Sequence, residues 1–145
     1  VGTVARMLEV AGRGDGRYLL QTVGTRRIRV RRWLDDDPYP RAEVDPWPDE
    51  PGDDVEGADL LAGAWDRLHR ARLLHAELGD GPPPTVVDRA EDPEVASHQI
   101  TALSPLGSFD RQRLLATPGW AERLATAQVL LDEAIEVLSA RVAGR

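Results

Sequence analysis

Apolar positions recur with a period of two in the first part of the chain and with a helical period over most of the rest. Val4, Arg6, Leu8 and Val10 alternate with Ala5, Met7 and Glu9, the rhythm of a strand whose successive side chains point to opposite faces. Asp15-Gly16 supplies the pair that a type I′ hairpin prefers, so a second strand is expected over about Arg17–Val23. A second tight turn is expected at Gly24-Thr25 and a third strand over about Arg26–Leu34. There Ile28 and Val30 share one face while Arg27, Arg29 and Arg31 share the other. The pattern predicts an antiparallel meander with one buried and one wet side.

Asp35-Asp36-Asp37-Pro38 ends that strand, and a short fourth is expected over Arg41–Trp47. From Pro46 to Gly57 proline and acids dominate, which predicts an exposed loop. The period then changes. Leu61, Ala64, Trp65, Leu68, Ala71, Leu74 and Leu78 fall on one helical face, and Gly79 is the stop signal. Asp80–Val87, with its run of prolines, reads as loop or polyproline-like linker. Asp92-Pro93 is an N-cap followed by proline at the first helical position, opening a helix to about Leu103. A short helix is expected after Ser108. Thr117-Pro118 repeats the start signal for a long last helix, with Trp120, Leu124, Ala127, Leu131, Ala134, Ile135, Leu138 and Val142 as its stripe. The prediction is an α+β chain: a β-rich part over 1–50 and a helical bundle with a long C-terminal helix over 51–145.

Composition narrows the chemistry. The 145 residues suit one domain, and no apolar run approaches the length of a membrane span. No signal peptide is visible, and with no Met at position 1 the chain is expected to be a fragment or processed product. Cys is absent, which excludes disulfides, thiolate metal sites and a cysteine nucleophile within these residues. All 18 basic residues are Arg, and Lys and Asn are missing, a bias that points to a GC-rich bacterial genome. The net charge of −7 is segregated. Residues 1–33 carry eight Arg against Glu9 and Asp15, a balance of +6, whereas 34–59 carry eleven acids against Arg41, a balance of −10.

The residues that carry the strand pattern also resemble a family. Gly2-Thr3-Val4-Ala5-Arg6, the Asp15-Gly16 turn, Gly24, and the Arg-rich strand ending in Val30 are similar to the substrate-recognition (LON) domain of Lon-type proteases. Pro38-Tyr39 through Ala42-Val44 resembles the family's Tyr-x-x-Ala-x-Val step. Leu103–Leu106, Asp110-Arg111-Gln112, Leu114-Leu115, Glu122-Arg123-Leu124 and Leu131 resemble its closing pattern. The resemblance implies a PUA-like β pseudo-barrel, here partial, joined to the helical bundle. It implies a non-catalytic module that holds unfolded or misfolded polypeptide in a bacterial cytoplasm, with an ATP-dependent protease or chaperone as partner and no cofactor. The family's first segment, an apolar strand with a Phe-Pro-Gly-like loop, has no counterpart here, and neither do ATPase and protease segments. A sheet without those strands is expected to show an unpaired edge and to self-associate.

Catalytic constellations are poorly supported. Without Lys there is neither a Ser-Lys dyad nor a P-loop. Ser97, Ser104, Ser108 and Ser139 can be combined with His69, His75 or His98 on paper, but no Ser sits in a Gly-x-Ser-x-Gly elbow. His69 and His75 lie on different helix faces and do not form the i, i+4 pair of a zinc helix. The acids Asp49, Glu50, Asp53, Asp54, Glu56 and Asp59 lack EF-hand spacing and read as a solvated linker. Arg13-Gly14-Asp15 simply leads into a turn. Trp33, Tyr39 and Trp47 are the candidate polypeptide contacts, against a role in packing sheet to bundle. The alternative function is RNA binding by the Arg27, Arg29 and Arg31 stripe, against its neutralisation by the acidic stretch 35–59. Polypeptide recognition is the leading expectation; nucleic acid and membrane are not expected partners.

Overall fold

In the computed structural model, residues 1–51, 54–83 and 85–145 are described, with the side chains of 54–56 left aside. Three strands precede four helices: β1 (Gly2–Gly12), β2 (Tyr18–Leu34), β3 (Arg41–Pro46), α1 (Asp54–Glu77), α2 (Pro93–Leu103), α3 (Ser108–Leu115) and α4 (Trp120–Ala143). The strands form one antiparallel sheet in the order β1-β2-β3. The chain divides into two compact units, Val1–Pro48 and Asp49–Arg145.

The expected second and third strands are one. β2 runs unbroken for 17 residues through Gly24-Thr25. Ala5 pairs with Gly24 and Val4 with Arg26, so Thr25 is the extra residue of a bulge rather than part of a turn. Thr25 Oγ1 donates to the Val4 carbonyl at 3.0 Å, which satisfies an acceptor that the bulge takes out of the ladder. Glycine is needed at 24 for space. A Cβ there would stand 2.7 Å from Thr3 Cγ2. A second irregularity falls between Met7 and Glu9, and it moves the remaining β1 residues to the opposite side from the one simple alternation assigns.

The hairpin also closes differently from the expected type I′ pair. Positive φ falls on Gly14 (75°) and Gly16 (82°), not on Asp15, and the Arg13 amide donates to the Arg17 carbonyl at 2.9 Å. Asp15 instead accepts from the Arg17 amide at 3.1 Å and from its Nε at 2.8 Å. This lowers the Asp15 carboxyl pKa below its ordinary value.

The buried side of the sheet is the larger correction. Among the described residues, every fully buried apolar side chain belongs to the helical unit; in Val1–Pro48 the one buried side chain is Arg27. Alternation tells which side chains share a face, but burying that face requires a second layer, and the pattern does not provide one.

The helical unit has a conventional core. Ala64, Trp65, Leu68 and Ala71 of α1 meet Ile100 of α2 and Trp120, Leu124, Leu131 and Ile135 of α4. Leu106, Leu114, Ala127 and Leu130 form a second cluster. Helix ends follow their local signals in most cases. Asp92 accepts from the Val95 amide at 2.9 Å with Pro93 at the first turn, the cap expected of α2. Gly79, at φ 76°, ends α1, and the Asp80 amide returns to the His75 carbonyl at 3.1 Å. The start of α4 departs from expectation. Gly119 is its N-cap, while the Thr117 hydroxyl donates back to the Arg113 carbonyl at 3.2 Å and closes α3. Proline-rich 80–87 is irregular where described, with Pro84 outside the described residues.

Candidate polypeptide-binding surface

Directly opposed residues in a sheet share a side, so the register sorts the β unit into two surfaces. Val4, Val23, Ile28, Val30, Trp33, Ala42 and Val44 lie on one. Arg27, Arg29, Arg32, Glu43 and Asp45 lie on the other. Toward the hairpin tip Met7, Val10, Tyr18 and Leu20 share the side of Arg27, while Leu19 lies on the other side with Glu9 and Gln21. Met7, Leu8, Val10, Tyr18, Leu19 and Leu20 are each more than half exposed, between 52% and 70%. Leaving such area in water costs free energy at about 25 cal/mol per Å², so a patch this extended is unusual unless something covers it in use.

The candidate aromatics do not gather. Trp33, near the end of β2, is 69% exposed, and Tyr39, in the turn before β3, is 64% exposed. Trp47 lies on the other side of the sheet, half-buried, with the guanidiniums of Arg27 and Arg29 each 4.3 Å from its ring centroid. This stacking holds Trp47 by cation–π attraction. The tip residues escaped the sequence reading, which took alternation to mean one covered face. The available signal was Tyr18-Leu19-Leu20, since three successive apolar residues on a strand put apolar side chains on both sides.

The Arg stripe is engaged with its own sheet. Arg31 is the extra residue of a bulge, and both it and Arg32 reach acids of β3. Arg31 Nη2 lies 3.0 Å from Asp45 Oδ1, and Arg32 Nη2 lies 2.6 Å from Glu43 Oε1. With Arg27 and Arg29 on Trp47, the stripe has partners within its own sheet, and two of them, Glu43 and Asp45, come from the acidic stretch 35–59.

The helical unit contains a polar node that the linker reading missed. Asp49 is not solvated: its side chain is 2% exposed and meets Arg123, which is fully buried. Arg123 donates through Nη2 to Asp49 Oδ1 at 2.8 Å, through Nη1 to Ser97 Oγ at 2.6 Å and through Nε to the Leu114 carbonyl at 3.2 Å. A planar fork with five donors suits such a junction, because each acceptor lies on a different segment. Glu50 extends the junction, its amide donating to the Pro118 carbonyl at 3.1 Å. Of the acids grouped with Asp49, residue 53 lies outside the described residues.

Ser97 and His98 both border the Asp49–Arg123 node, and no hydrogen bond joins a serine hydroxyl to a histidine among the contacts described for them. Ser97 Oγ donates to the Glu94 carbonyl at 2.7 Å, and Ser104 Oγ donates to the Thr101 carbonyl at 2.8 Å. His69 is exposed and His75 half-buried on α1, while His98 Nε2 on α2 lies 3.8 Å from Asp49 Oδ1. No helix among the described residues is long and apolar enough to cross a membrane.

The chain is α+β, a three-stranded antiparallel sheet followed by four helices. Sequence comparison gives the family. Residues 1–133 match the profile of the ATP-dependent protease La (LON) substrate-binding domain, and the chain belongs to that family. The matched domain is a non-catalytic one, which gives the chain a general role in substrate recognition. It is also similar to Lon protease 2 of Thermus thermophilus, 26% identical over 142 residues. That alignment covers 95% of this chain and 17% of the relative, so the chain spans about a sixth of the length of that protease.

Proposed function

We propose that this chain holds unfolded or misfolded polypeptide without transforming it, and passes it to an ATP-dependent protease or chaperone in a bacterial cytoplasm. The observation that carries the reading is the apolar hairpin tip, where Met7, Leu8, Val10, Tyr18, Leu19 and Leu20 stand more than half exposed. Exposed aliphatic and aromatic area binds any chain with unburied apolar side chains, and does so without a sequence code. Trp33 and Tyr39, at the other end of β2, are separate exposed rings assigned as further contacts, and Trp47, half-buried beside Arg27 and Arg29, is the third. On the same reading, the bulged sheet is taken as part of a PUA-like pseudo-barrel, with 1–50 as the β-rich part and 51–145 as the bundle.

Binding of fluorescently labelled denatured casein tests the reading. The complex is expected to persist in high salt, because burial of apolar area is not screened by ions. Absence of binding at tens of micromolar protein overturns it. Binding of RNA that collapses as salt rises, and is lost in the Arg27→Ala, Arg29→Ala, Arg31→Ala triple variant, selects a nucleic-acid module instead.

A further inference from the structure

The polar node around Asp49 contains a donor set that polypeptide binding does not use. Asp49 Oδ1, a Glu94 carboxylate oxygen and a His98 ring nitrogen all lie within 4.8 Å of one another. We propose that Asp49, Glu94 and His98 form a binding site for a divalent transition-metal cation of the zinc type.

Three features build the site. Glu94 and His98 stand at i and i+4 on α2, so their side chains fall on the same face one turn apart. That spacing is the one a helix uses to present two ligands to a single ion. The Asp92 cap and Pro93 fix the first turn, and with it the Glu94 backbone. Asp49 is held by Arg123, which also grips Ser97 on the same helix, so the loop carboxylate and α2 keep one register.

The spacing fits an ion. Zinc ligands sit about 2.0–2.2 Å from the metal, which puts adjacent donors roughly 3–4 Å apart. His98 Nε2 and Asp49 Oδ1 are already 3.8 Å apart. Glu94 is exposed and has the rotamer freedom to bring its oxygen into the same shell. Arg123 does not exhaust Asp49, because a carboxylate has about four lone-pair directions. The guanidinium acts as an outer partner that orients the ligand, and the two carboxylates with Arg123 leave the pocket at one net negative charge before an ion enters. One imidazole with two carboxylates selects zinc-type cations over calcium and magnesium, which take oxygen alone. The ion would pin the segment before α1 to α2.

Calorimetric titration of the full chain with zinc chloride tests the site. Binding of about one zinc per chain is expected, with a rise in thermal midpoint. Glu94→Gln and His98→Ala are each expected to weaken binding by about tenfold or more, while His69→Ala leaves it unchanged. Folding of the variants is checked by their far-UV spectra in the absence of zinc. Lack of saturation overturns the proposal, leaving a His98–Asp49 ion pair only. So does full-affinity binding that survives both variants or falls with His69→Ala, because the ion then sits elsewhere.

Discussion

Arg123 on α4 donates to Asp49 at 2.8 Å across 74 positions of sequence, and the pair is buried on both sides. Its geometry decides how the helical unit closes, because the same guanidinium also holds Ser97 of α2 and the last turn of α3. Desolvating two charges is costly, and the cost is met only while every donor keeps its acceptor.

Replacing Arg123 by Met removes the cation and leaves the Asp49 carboxylate in a dry site. The expected loss is about 3–5 kcal/mol of unfolding free energy, read as a fall in urea midpoint without a change in slope. A loss below about 1 kcal/mol shows that Asp49 reaches solvent when Arg123 is absent.

Trp33→Ala and Tyr39→Ala remove exposed rings, 69% and 64% accessible, that support no core. Each is expected to leave the thermal midpoint within a degree or so, since exposed sites are worth less than about 0.5 kcal/mol. Affinity for denatured casein is expected to fall about tenfold in the double variant, as aromatic anchors carry a large share of contact energy. Casein affinity unchanged within error removes these two residues from the proposed contacts.

Among the described residues the sheet has β1 and β3 as its edge strands, beside exposed apolar side chains. Sedimentation velocity is expected to show association that grows with concentration and is reduced by Leu8→Lys and Leu20→Lys, which put charge on the hairpin. A monomer at every concentration shows that the tip is less adhesive than its exposure implies.

Asp92→Ala deletes the hydrogen bond to the Val95 amide at 2.9 Å. The expected cost is about 1 kcal/mol, with the amides of the first turn of α2 exchanging faster in hydrogen-exchange measurements. Asp92→Ser restores most of the loss, which separates a cap effect from any loss of charge.

Asp15 provides the pH test. Its hydrogen bonds to Arg17 hold the folded-state pKa below the unfolded value, so the carboxylate form favours the closed hairpin loop. That contribution is present above the ordinary aspartate range and is lost as pH falls through the lowered folded value. Carboxyl carbon shifts followed by NMR are expected to place the Asp15 midpoint below that of unstructured aspartates, and Arg17→Ala to bring it back.

Helices α1 and α2 were legible because their information is local. Leu68 and Ala71 recur at helical spacing, Gly79 supplies a left-handed stop, and Asp92-Pro93 writes a cap and first turn into adjacent residues. Gly24-Thr25 was ambiguous for a physical reason. A glycine that permits a turn equally permits a bulge, and only the partner strand, with Thr3 packed 2.7 Å from the missing Cβ, decides between them. The start of α4 was displaced because the Thr117 hydroxyl donates back to the Arg113 carbonyl and closes α3, leaving Gly119 as the cap of the next helix.

The order of strands and helices, the charge segregation and the membership of a recognition family were determined by residue types and their spacing along the chain. Tertiary structure alone decided that the apolar tip of the sheet stands in solvent, that Arg27 and Arg29 stack on Trp47, and that Asp49 leaves its acidic neighbours for Arg123. Period and propensity act between residues a few positions apart, whereas burial and ion pairing depend on which distant segments share a volume, and no local pattern encodes that.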